Sequence, residues 1–331
     1  MRALVFEKNG LDNLKMREIS SPSLKPDEVL IDVVMAGVNP VDYSVVESIQ
    51  NVKPKPHIPG AEFTGEISEV GEKVSDYRKG DRVAVYNRVF DGTCNECVSK
   101  HEMLCENGGI MSIVTNGGFA EEISIPARNL VKLPDETSWE LAASIPVAAL
   151  TSFHALKRAD LGFNENFVVF GASGNTGMFA TQFGRMFGSK VYALSKKDWV
   201  KDFGADKVLD YDNVREGLSE ATQGRMADVV LNSVGASTWD NSLSLLSRNG
   251  RLVFFGALTG AQASIPLREV YSKQVKIIGS TGGTREEMRK IVNISSDLKV
   301  KVWRKFKLEE GVEALRALFS DERQGRVMIE I

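Results

Sequence analysis

Short β-branched runs punctuated by Gly and Pro fill residues 1–130: Arg2–Phe6, Glu28–Val34, Glu66–Val70, Arg82–Val85 and Ala120–Ile125. Such runs predict an all-β, barrel-like unit. Between Trp139 and Lys157 the apolar spacing turns helical. From Phe167 onward strands alternate with helices of about ten to fifteen residues, the pattern of a parallel sheet. Its strands are expected at Phe167–Phe170, Lys190–Leu194, Lys207–Leu209, Asp228–Leu231, Arg251–Phe255 and Lys276–Ile278, with helices starting near Gly177, Trp199, Val214 and Ser237. Six strands suit a doubly wound sheet. After Gly283 a helix at Arg285–Ile294, a strand near Val300–Phe306, a helix at Glu309–Phe319 and a last strand at Arg326–Ile331 are expected to return to the first unit.

Composition narrows the classes. The 331 residues carry 41 basic and 44 acidic side chains, a formal net charge of −3, without a basic block. Nucleic acid is therefore not an expected partner. The most apolar stretch, Ala142–Leu150, is broken by Pro146 and too short to span a bilayer, so no membrane partner is expected and a cytoplasmic location is. The only cysteines, Cys94, Cys97 and Cys105, fall within twelve positions, a clustering that points to metal rather than to a disulfide framework.

The strand Phe167–Phe170 runs into Gly171, Ser173, Gly174, Asn175, Thr176 and Gly177 and then into a helix carrying Phe179, Ala180, Phe183 and Phe187. Glycines allow a tight turn and close approach of backbone to phosphate, and the helix N-terminus offers unpaired N–H groups to an anion. In this strand-to-helix context the triplet reads as a dinucleotide site. The next strand ends at Ser195, Lys196 and Lys197, where an NAD-binding chain usually places an acid for the ribose. A 2′-phosphate would meet a hydroxyl and two cations there, which favours NADPH; the alternative leaves the lysines solvated and gives the ribose to Asp198.

Further motifs cover nearly the whole chain: Asp27 through Asn39-Pro-Val-Asp42, Pro59-Gly-Ala-Glu62-Phe-Thr-Gly65, Val70-Gly71, Gly80-Asp-Arg-Val83, Gly117-Gly-Phe-Ala-Glu121 and Gly325-Arg-Val327. In this order they resemble the medium-chain dehydrogenase/reductase superfamily, in its quinone oxidoreductase-like branch that lacks catalytic zinc ligands. The resemblance implies an α/β chain: a GroES-like β-barrel catalytic domain (1–148 and 284–331) and a doubly wound Rossmann domain (149–283), with the active site in the cleft where they meet. It also implies a homodimer or homotetramer, with Arg251–Phe255 and Ala263–Ile278 resembling the region through which relatives dimerise.

Two metal positions follow from that resemblance. Where the zinc alcohol dehydrogenases of this superfamily hold a catalytic metal, this chain has Asn39, Ala61 and Val147, and only Glu62 and Asp42 remain as donors. An amide, a methyl and an isopropyl do not make a zinc site. The superfamily's structural-zinc lobe has four ligands spaced by two, two and seven residues, matched here by Asp91, Cys94, Cys97 and Cys105. A bound structural zinc is expected, against a degenerate lobe that has kept its thiols.

Without a catalytic Lewis acid, a quinone or an α,β-unsaturated carbonyl is the better hydride acceptor, because conjugation spreads the developing charge. The expected activity is NADPH-dependent reduction of a small conjugated carbonyl substrate. An alcohol dehydrogenase or aldehyde reductase, and a non-catalytic NADPH-binding protein, are the alternatives. By resemblance Asn39 donates to the substrate oxygen or the nicotinamide ribose, and Tyr43 and Ser44 are candidates for proton donation, with a packing role open for Tyr43. Thr151 matches the residue against the nicotinamide. Asn232, Ser233 and Val234 fall near the adenosine half, Phe255, Gly256 and Ala257 near the middle, and Gly279 and Ser280 near the nicotinamide end. Arg268 and Arg285 either meet an anionic substrate or are solvated.

Overall fold

The strand Glu28–Gly37 buries Val29, Ile31, Val33 and Met35 while Asp32 faces outward, the alternation that places one face of a sheet on a core. In the computed structural model, which describes all 331 residues, that strand is the centre of a seven-stranded sheet. Neighbours run Val302–Lys307, Arg326–Glu330, Glu28–Gly37, Phe63–Val70, Arg82–Val85 and Leu130–Lys132, and Glu122–Pro126 also pairs with the central strand. All pairings are antiparallel except that of the first two. The chain divides into two compact units, Met1–Val147 with Thr284–Ile331, and Ala148–Gly283. The first is closed around a core that includes Phe6, Phe63 and Phe119, all fully buried.

The second unit is a six-stranded, wholly parallel sheet. Its order is Lys207–Leu209, Lys190–Leu194, Asn166–Phe170, Ala227–Asn232, Leu246–Phe254 and Lys276–Gly279. The first strand in sequence, Asn166–Phe170, is buried at every position, as a parallel strand covered on both faces must be. The chain reverses its direction of growth beside this strand, the topological switch point where such sheets bind ligands.

Several expected elements differ in extent. The helical stretch from Trp139 is broken into Trp139–Ala142, a π-helical turn at Ile145–Ala149, and Leu150–Arg158. Pro146 has no N–H to continue the α-ladder, so the wider turn takes over. The helix expected near Trp199 is a 3₁₀ helix, Asp198–Phe203. That expected at Ser237 begins as the 3₁₀ turn Ala236–Thr238 and continues as Trp239–Ser244. Helices Pro40–Glu47 and Leu267–Lys273 lie partly in segments with no helical signal, and Val41, Val45 and Val46 show why: β-branched residues argue against a helix until packing overrides them. No helix is long and apolar enough to cross a membrane.

Candidate functional site

Asn39 ends the extended run of the central barrel strand and precedes helix Pro40–Glu47, with Pro40 at the first helical position, where its missing N–H costs nothing. Its backbone N–H donates to Asp42 Oδ2 at 2.8 Å, and Ala61 N–H donates to Asp42 Oδ1 at 2.7 Å. One buried carboxylate thus ties the Asn39 turn to the Gly60–Glu62 loop. Burial pushes the Asp42 carboxyl up to about 7, against the two N–H donors, which favour its ionised form.

Glu62 is fully buried and saturated with donors. Val147 N–H reaches Oε1 at 2.7 Å, Asn39 Nδ2 reaches Oε2 at 2.7 Å, and the Arg326 guanidinium donates through Nη2 to Oε2. Asn39 Nδ2 also lies 3.2 Å from Gly37 O. The amide expected to serve a substrate oxygen is therefore directed at Glu62 and Gly37. A Cβ on Gly37 would stand 2.1 Å from Arg326 Nη2, so only glycine admits the guanidinium beside this strand. Arg326 is 0% exposed, with Nε and Nη1 buried and without hydrogen-bonding partners. Nearby Arg323 donates to Leu318 O and Gly325 O, and burial, with Arg326 beside it, lowers its guanidinium to about 10. No sequence pattern marks Arg326 beyond its place after Gly325.

Tyr43 packs edge to face with Phe319, centroids 4.8 Å apart, and Ser44 Oγ donates to Pro40 O at 3.0 Å within its own helix. Both have structural occupations. Arg285 is likewise a strut: its guanidinium donates to Leu130 O and its N–H to Glu102 Oε1.

In the second unit the parallel sheet brings the ends of four strands to one edge, and with them Gly171, Ser195, Ser233 and Phe255. The loop 171–176 leads into helix Gly177–Met186. A Cβ on Gly177 would lie 2.0 Å from Gly171 O, so the turn that presents the helix N-terminus requires glycine there. Tyr211, which no motif marks, accepts from Gly171 N–H at 3.1 Å and donates to Leu194 O at 3.4 Å, joining the glycine turn to the neighbouring strand end. These residues form a cradle suited to a dinucleotide pyrophosphate. Ser152 Oγ donates to Thr176 O, anchoring the loop to the helix that carries the half-exposed Thr151.

The other expected cofactor residues separate into struts and exposed groups. Asn232 is consumed internally: Oδ1 accepts from Val234 N–H, Gly235 N–H and Thr238 Oγ1, and Nδ2 donates to Gly235 O and Ser242 Oγ. Ser233 Oγ donates to Phe170 O. Ser195 Oγ is turned into its own loop, accepting from Lys197 N–H at 2.9 Å and donating to Lys197 O at 3.2 Å. Lys196 is exposed, as are Gly256, Ala257 and Gly279, and Ser280 Oγ is buried without a partner.

The third constellation lies in the first unit. Ligand atoms of Asp91, Cys94, Cys97 and Cys105 all fall within 4.8 Å of one another. Cys94 Sγ and Cys105 Sγ are 3.8 Å apart, the edge of a tetrahedron with Zn–S bonds of about 2.3 Å. Asn107 Nδ2 and the N–H groups of Cys94 and Thr93 donate to Asp91 and hold its carboxyl well below the usual range. The donor set, three thiols and a carboxylate, fits zinc.

Residues 25–135 match the family model of the alcohol dehydrogenase GroES-like domain, and residues 176–297 that of the zinc-binding dehydrogenases. The chain is 31% identical to an alcohol dehydrogenase of Geobacillus stearothermophilus, over 96% of each chain. It is 30% identical to an acryloyl-coenzyme A reductase of Metallosphaera sedula over 99% of each. The structure of a cobalt- and zinc-bound thermostable alcohol dehydrogenase from Pyrobaculum aerophilum is similar throughout. It has a TM-score of 0.93 and 40% identity, with 100% of this chain and 99% of that one covered.

Proposed function

Because this chain belongs to the medium-chain dehydrogenase/reductase superfamily, with a GroES-like domain and a Rossmann domain, and is an oxidoreductase, we propose that it reduces small conjugated carbonyl compounds with NADPH and without a catalytic zinc. One observation carries the reading: Glu62, the donor nearest Asn39, Ala61 and Val147, spends its carboxylate on Asn39, Arg326 and Val147 N–H. A carboxylate neutralised by a buried guanidinium is a poor metal ligand. The residues at these positions do not fit a catalytic zinc.

For the cofactor, Gly171, Gly174 and Gly177 with the N-terminus of helix Gly177–Met186 would cradle the pyrophosphate. Exposed Lys196 is the residue for a 2′-phosphate, since Ser195 Oγ is engaged in its own loop. NADPH, when bound, would supply hydride-transfer chemistry, and the accompanying proton would come from solvent. The chain's own contribution is the rigid Asn39–Asp42–Glu62–Arg326 cluster, which holds the barrel turn in one geometry and keeps water out of it. Acryloyl-CoA, the substrate in one relative's name, is itself such an acceptor. Asp91, Cys94, Cys97 and Cys105 would hold one structural zinc, ordering their surface lobe. We place the enzyme in the cytoplasm.

The test is oxidation of NADPH and of NADH by EDTA-dialysed protein offered butenone, a benzoquinone and a saturated aldehyde. Turnover of the conjugated acceptors with NADPH preferred is expected. Aldehyde turnover that vanishes on chelation would establish the second reading, a zinc alcohol dehydrogenase, which the similarity to enzymes of that name favours.

A further inference from the structure

At the C-terminal end of helix Pro40–Glu47, the far end from Asn39, the first unit opens into a groove of about 750 Å³. Lys8, Lys53 and Lys55 line it, with Asn9, Gln50 and Asn51. Its only acid, Glu7, is bridged to Arg17 at 2.8 Å, which leaves the three lysines in excess along the groove. All three are exposed. In a chain of net charge −3, three cations converging on one concavity form a local positive field against the overall balance. The Lys55 ammonium is fixed over the Phe6 ring, 4.4 Å from its centroid. Asn9 Nδ2 donates to the carbonyls of Val45, Val46 and Ile49. That satisfies the helix's open end, which would otherwise repel an anion.

We propose that this groove binds the phosphate-bearing nucleotide end of coenzyme A, and that the conjugated acceptor is an α,β-unsaturated acyl-CoA thioester. The proposal rests on the function proposed above and names its substrate class. The helix separates Asn39 from the groove by about 12 Å of axis, a distance the extended pantetheine arm of such a thioester exceeds. Amide side chains along the groove suit the arm and the nucleotide, and the lysines suit its phosphates as point charges.

Two measurements test it on the full-length protein. Calorimetry with free CoA is expected to show binding that weakens with salt, and the double variant Lys53→Glu/Lys55→Glu to bind about tenfold more weakly. The ratio of kcat/KM for acryloyl-CoA to that for butenone is expected to fall by a similar factor in the variant, through KM for the thioester. Equal CoA affinity in the two proteins, or an unchanged ratio, would overturn the groove assignment. Loss of CoA binding in the variant together with no reduction of either acceptor by the wild type would uphold the groove and sink the reductase reading instead.

Discussion

Asp42 shows how a single buried group couples the barrel's stability to pH. Its carboxyl, fully buried and pushed up to about 7, holds in the folded chain a proton that the unfolded chain releases near pH 4. Across that window the folded state binds more protons, so stability falls as pH rises from about 4 to 7 and the contribution is gone above it. The contribution is of the order of 4 kcal/mol at its fullest. Urea midpoints measured from pH 4.5 to 7.5 should therefore drift downward for the wild type, and the drift should shrink in Asp42→Asn. An unaltered slope in the variant would assign the dependence to another group. Glu62 and Arg326 illustrate the complementary case, a buried pair in which each charge offsets the other's loss of water, with Asn39 Nδ2 and Val147 N–H also donating to Glu62.

The lobe that follows strand Arg88–Val89 carries four clustered donors, Asp91, Cys94, Cys97 and Cys105, in place of an extended core. Its helices span only Asn95–Val98 and Glu102–Leu104, and of their apolar side chains Met103 is buried while Val98 and Leu104 are exposed, so there is little apolar burial to hold it. One zinc per chain is expected by plasma emission spectroscopy. Asp91→Ala should lower zinc affinity at least about tenfold and lower the thermal midpoint. Full zinc retention by the variant would mean that Asp91 is not a ligand. The glycine turn after Asn166–Phe170 is held differently, by steric necessity at Gly177 and by the Tyr211 hydroxyl across to Leu194. The glycines announce that turn in the sequence. Tyr211 does not, because its partner lies 40 residues away.

The parallel sheet of the second unit ends on the strand Lys276–Gly279, whose outer edge has no neighbour, and in the segment that leads to it Leu258, Ile265, Leu267 and Tyr271 are exposed. An open edge with apolar neighbours favours pairing with another chain, and a second copy of this one is the partner expected. Sedimentation should give twice the 36.4 kDa chain mass, and Leu267→Glu/Tyr271→Glu should shift the protein to monomer. A wild type that sediments as a monomer at micromolar concentration would exclude this interface. Linear order was enough to specify the barrel and parallel-sheet classes, the glycine turn and the clustering of the three cysteines, while Asp91 joined them only through the family resemblance. Each of these is written in periodicity or spacing between near neighbours, and local backbone sterics read such patterns directly. Folding alone decided that Arg326 meets Glu62 across 264 residues, that Asn232 is spent on its own turn, and that Lys8 joins Lys53 and Lys55 in one groove. These pairings arise because a charge or amide withdrawn from water must find a partner wherever packing brings one, and nothing in the neighbouring sequence says where that will be.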